Sequence, residues 1–409
     1  MLFIFIGILL IITTLLTSSE KASNEKIYCF FIFLLWILMA FRYGQGSDYF
    51  NYKYLFGNVN SFNDVITNPA CDHGEIGFRF LYWIFKYNFE AMVFCISTFE
   101  MIMLHLFIKR NSTNWLMSLT LFYPVYYLVY YYSTMRQGLA MAFFLGVLYE
   151  LLKENKNLKY CIGVIIAALF HGSAILLLAL PIVKKLSMKM IYIGIGIAFI
   201  AGNVISIVTR LPFLQQIEAI NNYWIGRPSV MAILARCFSF ICFILLYYNR
   251  NRNKETSETI MNEKIFCFAF VCYALFMNAP LIASRMTAYF LVVEIIVFPH
   301  MIKNSKKMKN LVYIFLMMFL LLNSYKTISS NLWQGDYYND ISVAEYPYIS
   351  VINKNSLWKY RKLPEIAPGE GQTRDLMSRL MNKDKEKAKS VKEIKEEVKI
   401  RKERNHKNR

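Results

Sequence analysis

The chain has 409 residues, 56% of them hydrophobic and 16% aromatic, and its 46 Lys and Arg against 27 Asp and Glu leave a formal charge of +19. The apolar residues gather in many runs of ~15 to 20, the length that crosses about 30 Å of hydrocarbon, separated by short loops that carry Lys and Arg. This pattern excludes a soluble enzyme built on one core, and it assigns the positive balance to loop topology rather than to nucleic-acid binding.

In chain order the apolar segments fall at 2–17, 27–41, 91–108, 114–132, 138–152, 158–184, 190–208, 231–248, 265–282, 286–301 and 311–325. They predict an all-α polytopic membrane protein with about 10–12 transmembrane helices. The first, Leu2 to Leu16, has no basic flank before it and no small-residue cleavage pattern after it, so it reads as a retained helix. The segment 158–184 cannot cross once, because Lys159 and Lys184 would then face opposite sides. His171-Gly172-Ser173 at its middle predicts a re-entrant hairpin of two short helices, each ~18 Å long. Its tip, with His171, is stable at that depth only when buried in protein or beside a watered cavity.

Alternate loops differ sharply in basic content. One set holds Lys21 and Lys26, Lys109 and Arg110, Lys153, Lys156 and Lys159, Lys184, Lys185 and Lys189, Arg250, Arg252, Lys254 and Lys264, then Lys303, Lys306, Lys307 and Lys309. These loops are expected on the cytoplasmic side. Arg42, Asp48, Glu75, Arg136, Arg227 and Arg285 then gather on the outer side. There the longest loop, 43–90, is broken by Gly44, Gly46, Pro69 and Gly74, and its amphipathic stretch from Gly77 to Lys86 is expected to lie along the interface.

The expected organisation is a transmembrane domain over 1–330, an external segment over 331–363 and a charged tail, helical or disordered, over 364–409. Residues 374–409 carry 14 Lys and Arg against 7 Asp and Glu. Helix count puts this tail outside, while its basic excess argues for the cytoplasm. Of the eight cysteines, Cys71 alone lies in a polar loop, a pattern of buried thiols rather than of a disulfide frame or metal cluster.

Several groups on the outer side could do chemistry. Arg136 and Arg285 each stand at the junction of apolar helices, where a guanidinium fork can grip phosphate oxygens or, equally, pair with a carboxylate. His171 has apolar neighbours on both sides; a packing role competes with proton transfer, which an imidazole performs near neutral pH. Asp48 and Glu75 could orient or deprotonate a sugar hydroxyl, or simply pair with Arg42 or Arg79. The aromatic run Phe122 to Tyr132 reads first as an interfacial belt and second as a platform for sugar rings. No Asp-x-Asp or His-x-x-His spacing implies a metal, and no nucleotide-binding signature is present.

Together, Arg42-x-Gly-x-x-x-Asp48-Tyr-x-x-Tyr52, Glu75-x-Gly77-Phe78, Met135-Arg136-Gln137-Gly138-Leu-Ala, Leu169-Phe170-His171-x-Ser173, Ser284-Arg285-x-x-x-Tyr289-Phe290 and Tyr346-Pro347-Tyr348 resemble the EpsG family of Wzy-like polysaccharide polymerases, over roughly residues 27 to 350. The resemblance implies a cofactor-free and metal-independent glycosyltransferase of the bacterial cytoplasmic membrane, with its active site on the extracytoplasmic side. Such an enzyme joins undecaprenyl-pyrophosphate-linked oligosaccharide repeats in exopolysaccharide, capsule or O-antigen synthesis. Its implied partners are that lipid-linked substrate, the bilayer and other assembly proteins such as a flippase and a chain-length regulator, with no nucleic acid. The expected roles are catalysis for His171, Asp48 and Glu75, pyrophosphate binding for Arg136, Arg285 and Arg42, and sugar binding for Tyr52, Tyr132, Gln137 and Tyr289. A flippase or exporter of the same glycans, or a polysaccharide ligase, is the alternative. The charged tail departs from the family's compact ending.

Overall fold

In hydrocarbon a backbone amide finds its partner only within its own helix or in a closed sheet, and this chain takes the helical course. The computed structural model describes residues 2–17, 25–59, 61–67, 75–209, 211, 230–250, 255–305, 309–328 and 347–357. It is 82% helical, with no strand among the described residues. Arg227, Cys71, Tyr346 and the tail from 364 lie outside the described residues, as do Lys21, Arg252, Lys254, Lys306 and Lys307.

The first helices are α1 (Leu2–Leu16), α2 (Glu25–Ala40), the short α3 (Tyr49–Phe56), α4 (Phe62–Thr67) and α5 (Ile76–Ile84), and the long α6 (Phe89–Asn111). Next, α7 (Trp115–Phe122) continues as a π-helix over Tyr123–Tyr131. A single span follows from α8 (Met135–Phe143) through a π-turn into α9 (Tyr149–Lys153). Then come α10 (Asn157–Ala168), a 3-10 helix (Gly172–Ala179) leading into α11 (Leu180–Val183), α12 (Met188–Val208), α13 (Val230–Asn249), α14 (Ser257–Phe276), α15 (Pro280–Leu291), α16 (Glu294–Asn304) and α17 (Lys309–Thr327). Polar residues cap the starts that the sequence can specify. The side chains of Asn88, Asn114, Ser187 and Thr256 accept the early amides of α6, α7, α12 and α14, which otherwise have no partner.

Five of these helices are long and apolar enough to cross a membrane, or six when α15 and α16, bent by 49° at their junction, count as one span. That is fewer than the apolar segments of the sequence, because α1 and both arms of the 158–184 segment are short and others are interrupted. The hairpin itself forms as expected: α10 and the 3-10 helix meet at His171, which is extended between them. Proline marks two of the other irregularities. Pro124 opens the π-helix. Pro299 inside α16 has no amide for the Ile295 carbonyl, and the Ser118 hydroxyl donates to that carbonyl instead, at 2.5 Å.

The basic loops meet at one end of the bundle. Lys109 pairs with Glu25, Lys153 with Glu258 and Arg250 with Glu255, while Lys184 reaches the Leu152 carbonyl and Lys264 the Lys184 carbonyl. At the opposite end α3 to α5 form a cap with its own apolar core. Tyr52, Leu55, Phe78 and Tyr82 pack there on Met92 and Ile96 of α6 and on Met135 of α8. The α5 helix is two-sided as expected, with Phe78 and Tyr82 inward and Ile76, Phe80 and Ile84 exposed. Residues 347–357 close over this cap. The Tyr43 amide donates to the Ile349 carbonyl, the Val351 amide to the Phe41 carbonyl, and Leu357 is fully buried beside Gly44.

Candidate active site

The turn between α2 and α3 is fixed by glycine. Gly46 has φ +94°, and a Cβ there would stand 2.8 Å from the Tyr132 carbonyl oxygen, so the turn can press against the end of the π-helix only without a side chain. Gly77 does the same for the hairpin. Its amide donates to the Leu169 carbonyl at 2.8 Å, at an approach too close for a Cβ. These two contacts bring the cap, the α8 start and the hairpin tip to one place.

Glu75 is the hub. Its Oε2 accepts from Arg136 Nη1 at 2.6 Å, and its Oε1 accepts from His171 Nδ1 at 2.9 Å and from the Gly172 amide at 3.0 Å. Burial pushes the Glu75 carboxyl upward, yet His171, the Arg136 charge and the Gly172 amide outweigh it and hold the carboxyl at about 2. A carboxylate so held accepts hydrogen bonds only, so His171 presents a protonated Nδ1 to it, and in the neutral imidazole Nε2 is then the acceptor. That Nε2 is enclosed and has no hydrogen-bond partner among the described residues.

Arg136 also lies over the Tyr52 ring, 5.6 Å from its centroid. Asp48, at the head of α3, faces the Ser47 and Tyr52 hydroxyls and feels both Arg136 and Arg285. Burial nevertheless raises its carboxyl above the ordinary value. Arg285 is exposed, and its backbone carbonyl is fixed by Gln137 Nε2 at 2.7 Å. The Tyr289 hydroxyl faces Ser173, within the field of Glu75. One end of the bundle thus unites Asp48, Glu75, Arg136, His171 and Arg285, drawn from five separate stretches of chain.

Other expected site residues lie behind this surface. Arg42 is 1% exposed, donates to the Met39 carbonyl and to Ser97 Oγ, and lies 5.0 Å from the Tyr132 ring centroid. The expected phosphate-binding arginine is thus enclosed, with residues 349–351 paired against 41–43. Tyr132 is fully buried and donates to Gln45 Oε1 at 3.0 Å, so it offers no open face to a sugar. Tyr52, Gln137 and Tyr289 are likewise buried and shape the wall from within.

The aromatic run is neither a belt nor a platform. Its rings are buried, and their hydroxyls pin other elements. Tyr123 donates to the Phe3 carbonyl, Tyr127 to Leu35, Tyr126 to Glu294 Oε1 and Tyr130 to Ser284. A phenol in hydrocarbon must find such an acceptor, and the wide π-helix fans its side chains toward several neighbours at once. Gln45, Glu100, Arg236 and Glu294 escaped the sequence reading. The last three carried a usable signal, a charge inside an apolar run; Gln45, which joins Tyr132, Pro347 and Ile349, carried none.

A family model described as the EpsG family matches residues 25–349. The chain belongs to the EpsG family. Wzy-like polymerase is the known kind of this family, which makes the protein a polysaccharide polymerase-like membrane protein in general terms. No curated protein and no solved structure matches it. The EpsG match spans every element that contributes to the cluster around Glu75.

Proposed function

We propose that the protein polymerises undecaprenyl-pyrophosphate-linked oligosaccharide repeats on the outer side of the bacterial cytoplasmic membrane, as a Wzy-like enzyme of exopolysaccharide, capsule or O-antigen synthesis. The observation that carries this reading is the Arg136–Glu75–His171 chain of bonds beside Asp48 and the exposed Arg285. The positive-inside rule supports the outward orientation, since the basic loops meet at the opposite end.

In this reaction a hydroxyl of the acceptor glycan attacks the anomeric carbon of the donor. The new C–O bond forms as the bond from that carbon to the diphosphate breaks, and polyprenyl diphosphate leaves with the bonding pair. His171 Nε2 takes the hydroxyl proton, and the imidazolium is stabilised by the Glu75 carboxylate on Nδ1. Arg285 meets the charge that develops on the departing diphosphate, a fixed positive group placed where the transition state needs it. Arg136 keeps Glu75 ionised and aimed. Both lipid-linked substrates are held in the bilayer, so their encounter is restricted in orientation from the start.

Reconstitution with a purified lipid-linked repeat and gel analysis of the products is the direct test, and a ladder of lengths is expected. Arg136→Gln is expected to reduce polymer by at least about 10²-fold while single repeats persist on lipid. Wild-type chain lengths from a normally expressed Arg136→Gln protein would refute the assignment. Repeats trapped on the cytoplasmic side after gene loss would indicate a transporter instead.

A further inference from the structure

The cap stands lower against the spans than an external loop would. Contacts at the basic end put α6, α9 and both arms of the hairpin on one level: Lys153 Nζ donates to Asn111 Oδ1 at 3.2 Å, and Lys184 Nζ donates to the Leu152 carbonyl and to Asn155 Oδ1, each at 2.8 Å. From that level α6 rises to Phe89 over 23 residues, about 34 Å at 1.5 Å per residue. The arms of the hairpin are shorter. With 12 residues, α10 reaches about 18 Å, and the eight residues of the 3-10 helix with the four of α11 reach about 22 Å. The tip at Leu169 to His171 therefore stops more than about 10 Å short of the head of α6, inside a hydrocarbon layer about 30 Å thick.

The α5 helix joins these two heights. Its lower end is fixed at the tip, where the Gly77 amide donates to the Leu169 carbonyl at 2.8 Å, and its upper end turns through Asn88 into the start of α6. Nine residues span about 13 Å, which matches the difference in height. On its inner side Phe78 and Tyr82 share a core with Met92 and Ile96 of α6, so the helix stands beside the outer part of that span. Its other side is apolar and open: Ile76, Phe80 and Ile84, spaced four apart on one face, are all exposed. At its foot this line meets the exposed Leu169, and Ile165 and Ile162 carry it on down the hairpin. At its head the Lys86 ammonium lies 4.9 Å from the centroid of the Tyr87 ring, a basic and aromatic pair of the kind that anchors at a membrane surface.

We propose that α5 is a half-membrane helix of the outer leaflet, with Ile76, Phe80 and Ile84 against phospholipid acyl chains and Lys86 and Tyr87 among the headgroups. It climbs through the leaflet instead of lying flat along the interface. Left in water, such an apolar line would be costly, and acyl chains remove that cost. Lipid is the partner because the line is unbroken from Ile162 to Ile84: the chains that cover the hairpin are already beside α5. Glu75 immediately precedes α5, so the depth of this helix also sets the depth of the Glu75–His171 pair below the headgroups.

The test places the fluorescent residue acridonylalanine at position 76, 80 or 84 of the full chain in phosphatidylcholine proteoliposomes. Lipids bearing a nitroxide on the acyl chain are expected to quench position 80 at least about twofold more than aqueous iodide does, and the reverse is expected at position 352, where Ile352 is 90% exposed. A nitroxide deep in the chain should favour position 76, and one near the headgroup position 84. Iodide quenching at position 80 equal to that at 352 would put α5 in water, and quenching by neither agent would mean a protein cover; either result overturns the proposal. Equal response of positions 76 and 84 to both nitroxides would overturn the climb. Hydroxyl-radical footprinting of the wild-type protein in the same vesicles covers a variant that fails to fold. Protection of Ile76, Phe80 and Ile84 beside oxidised Tyr87 and Ile352 supports the lipid contact, and oxidation of Phe80 as fast as of Tyr87 overturns it.

Discussion

Glu75 accepts three hydrogen bonds on two oxygens, and two of its partners belong to the hairpin tip. His171→Gln removes the acceptor nitrogen with little change in volume and is expected to lower polymerisation by about 10²–10⁴-fold. An equal rate from a protein of normal yield would remove His171 from proton transfer. Glu75→Gln keeps an oxygen for the Gly172 amide but loses the charge that holds Arg136. Because the folded-state carboxyl lies at about 2 against an ordinary 4.5, its stabilising contribution is complete above 4.5 and fades as pH falls toward 2. Melting curves from pH 6 down to pH 3 should therefore slope more steeply for the wild type than for Glu75→Gln. Parallel curves would show that the carboxylate adds nothing to the fold.

At the scale of elements, the hairpin and the cap act together because Gly77 lets α5 touch the Leu169 carbonyl. Gly77→Ala forces that contact apart and is expected to cost about 1–3 kcal/mol. Activity should fall with it, since Glu75 moves with α5. Membrane insertion should stay normal, because no span is altered. A thermal melt in detergent alongside the polymer assay reads both, and an unchanged melting temperature would mean that the approach is looser than the structure shows. The π-helix has a similar joining role. Tyr127→Phe deletes the bond to the Leu35 carbonyl without changing ring packing, for an expected loss of about 1 kcal/mol.

The whole molecule has two unlike ends, one a mesh of basic loops and carboxylates, the other the capped site with residues 347–357 laid over Arg42 and Gln45. Cysteine placed at Ser47 and at Ile352, which is 90% exposed, should react with an impermeant maleimide from the same side of intact cells. Cysteine at the exposed Lys185 should react only after permeabilisation. Labelling of Ile352→Cys and Lys185→Cys from one side would dismantle the proposed orientation. Charge between 374 and 409 bears little on this outcome, because orientation is set by basic residues close to the spans.

The apolar runs, the basic alternation and the break at His171-Gly172-Ser173 were legible in the sequence, because each follows from local rules: span length, loop charge and the poor fit of a polar turn to hydrocarbon. The motifs around Arg136, Glu75 and His171 could be singled out for the same reason, as charge beside apolar helices. Which of those charges remain open at the capped end was decided by the tertiary structure. Arg42 and Arg136 look alike in sequence, yet the 347–357 segment buries the first while Glu75 positions the second at the site. The bonds of the tyrosine run depend on contacts between residues far apart in the chain, and no local period encodes such contacts.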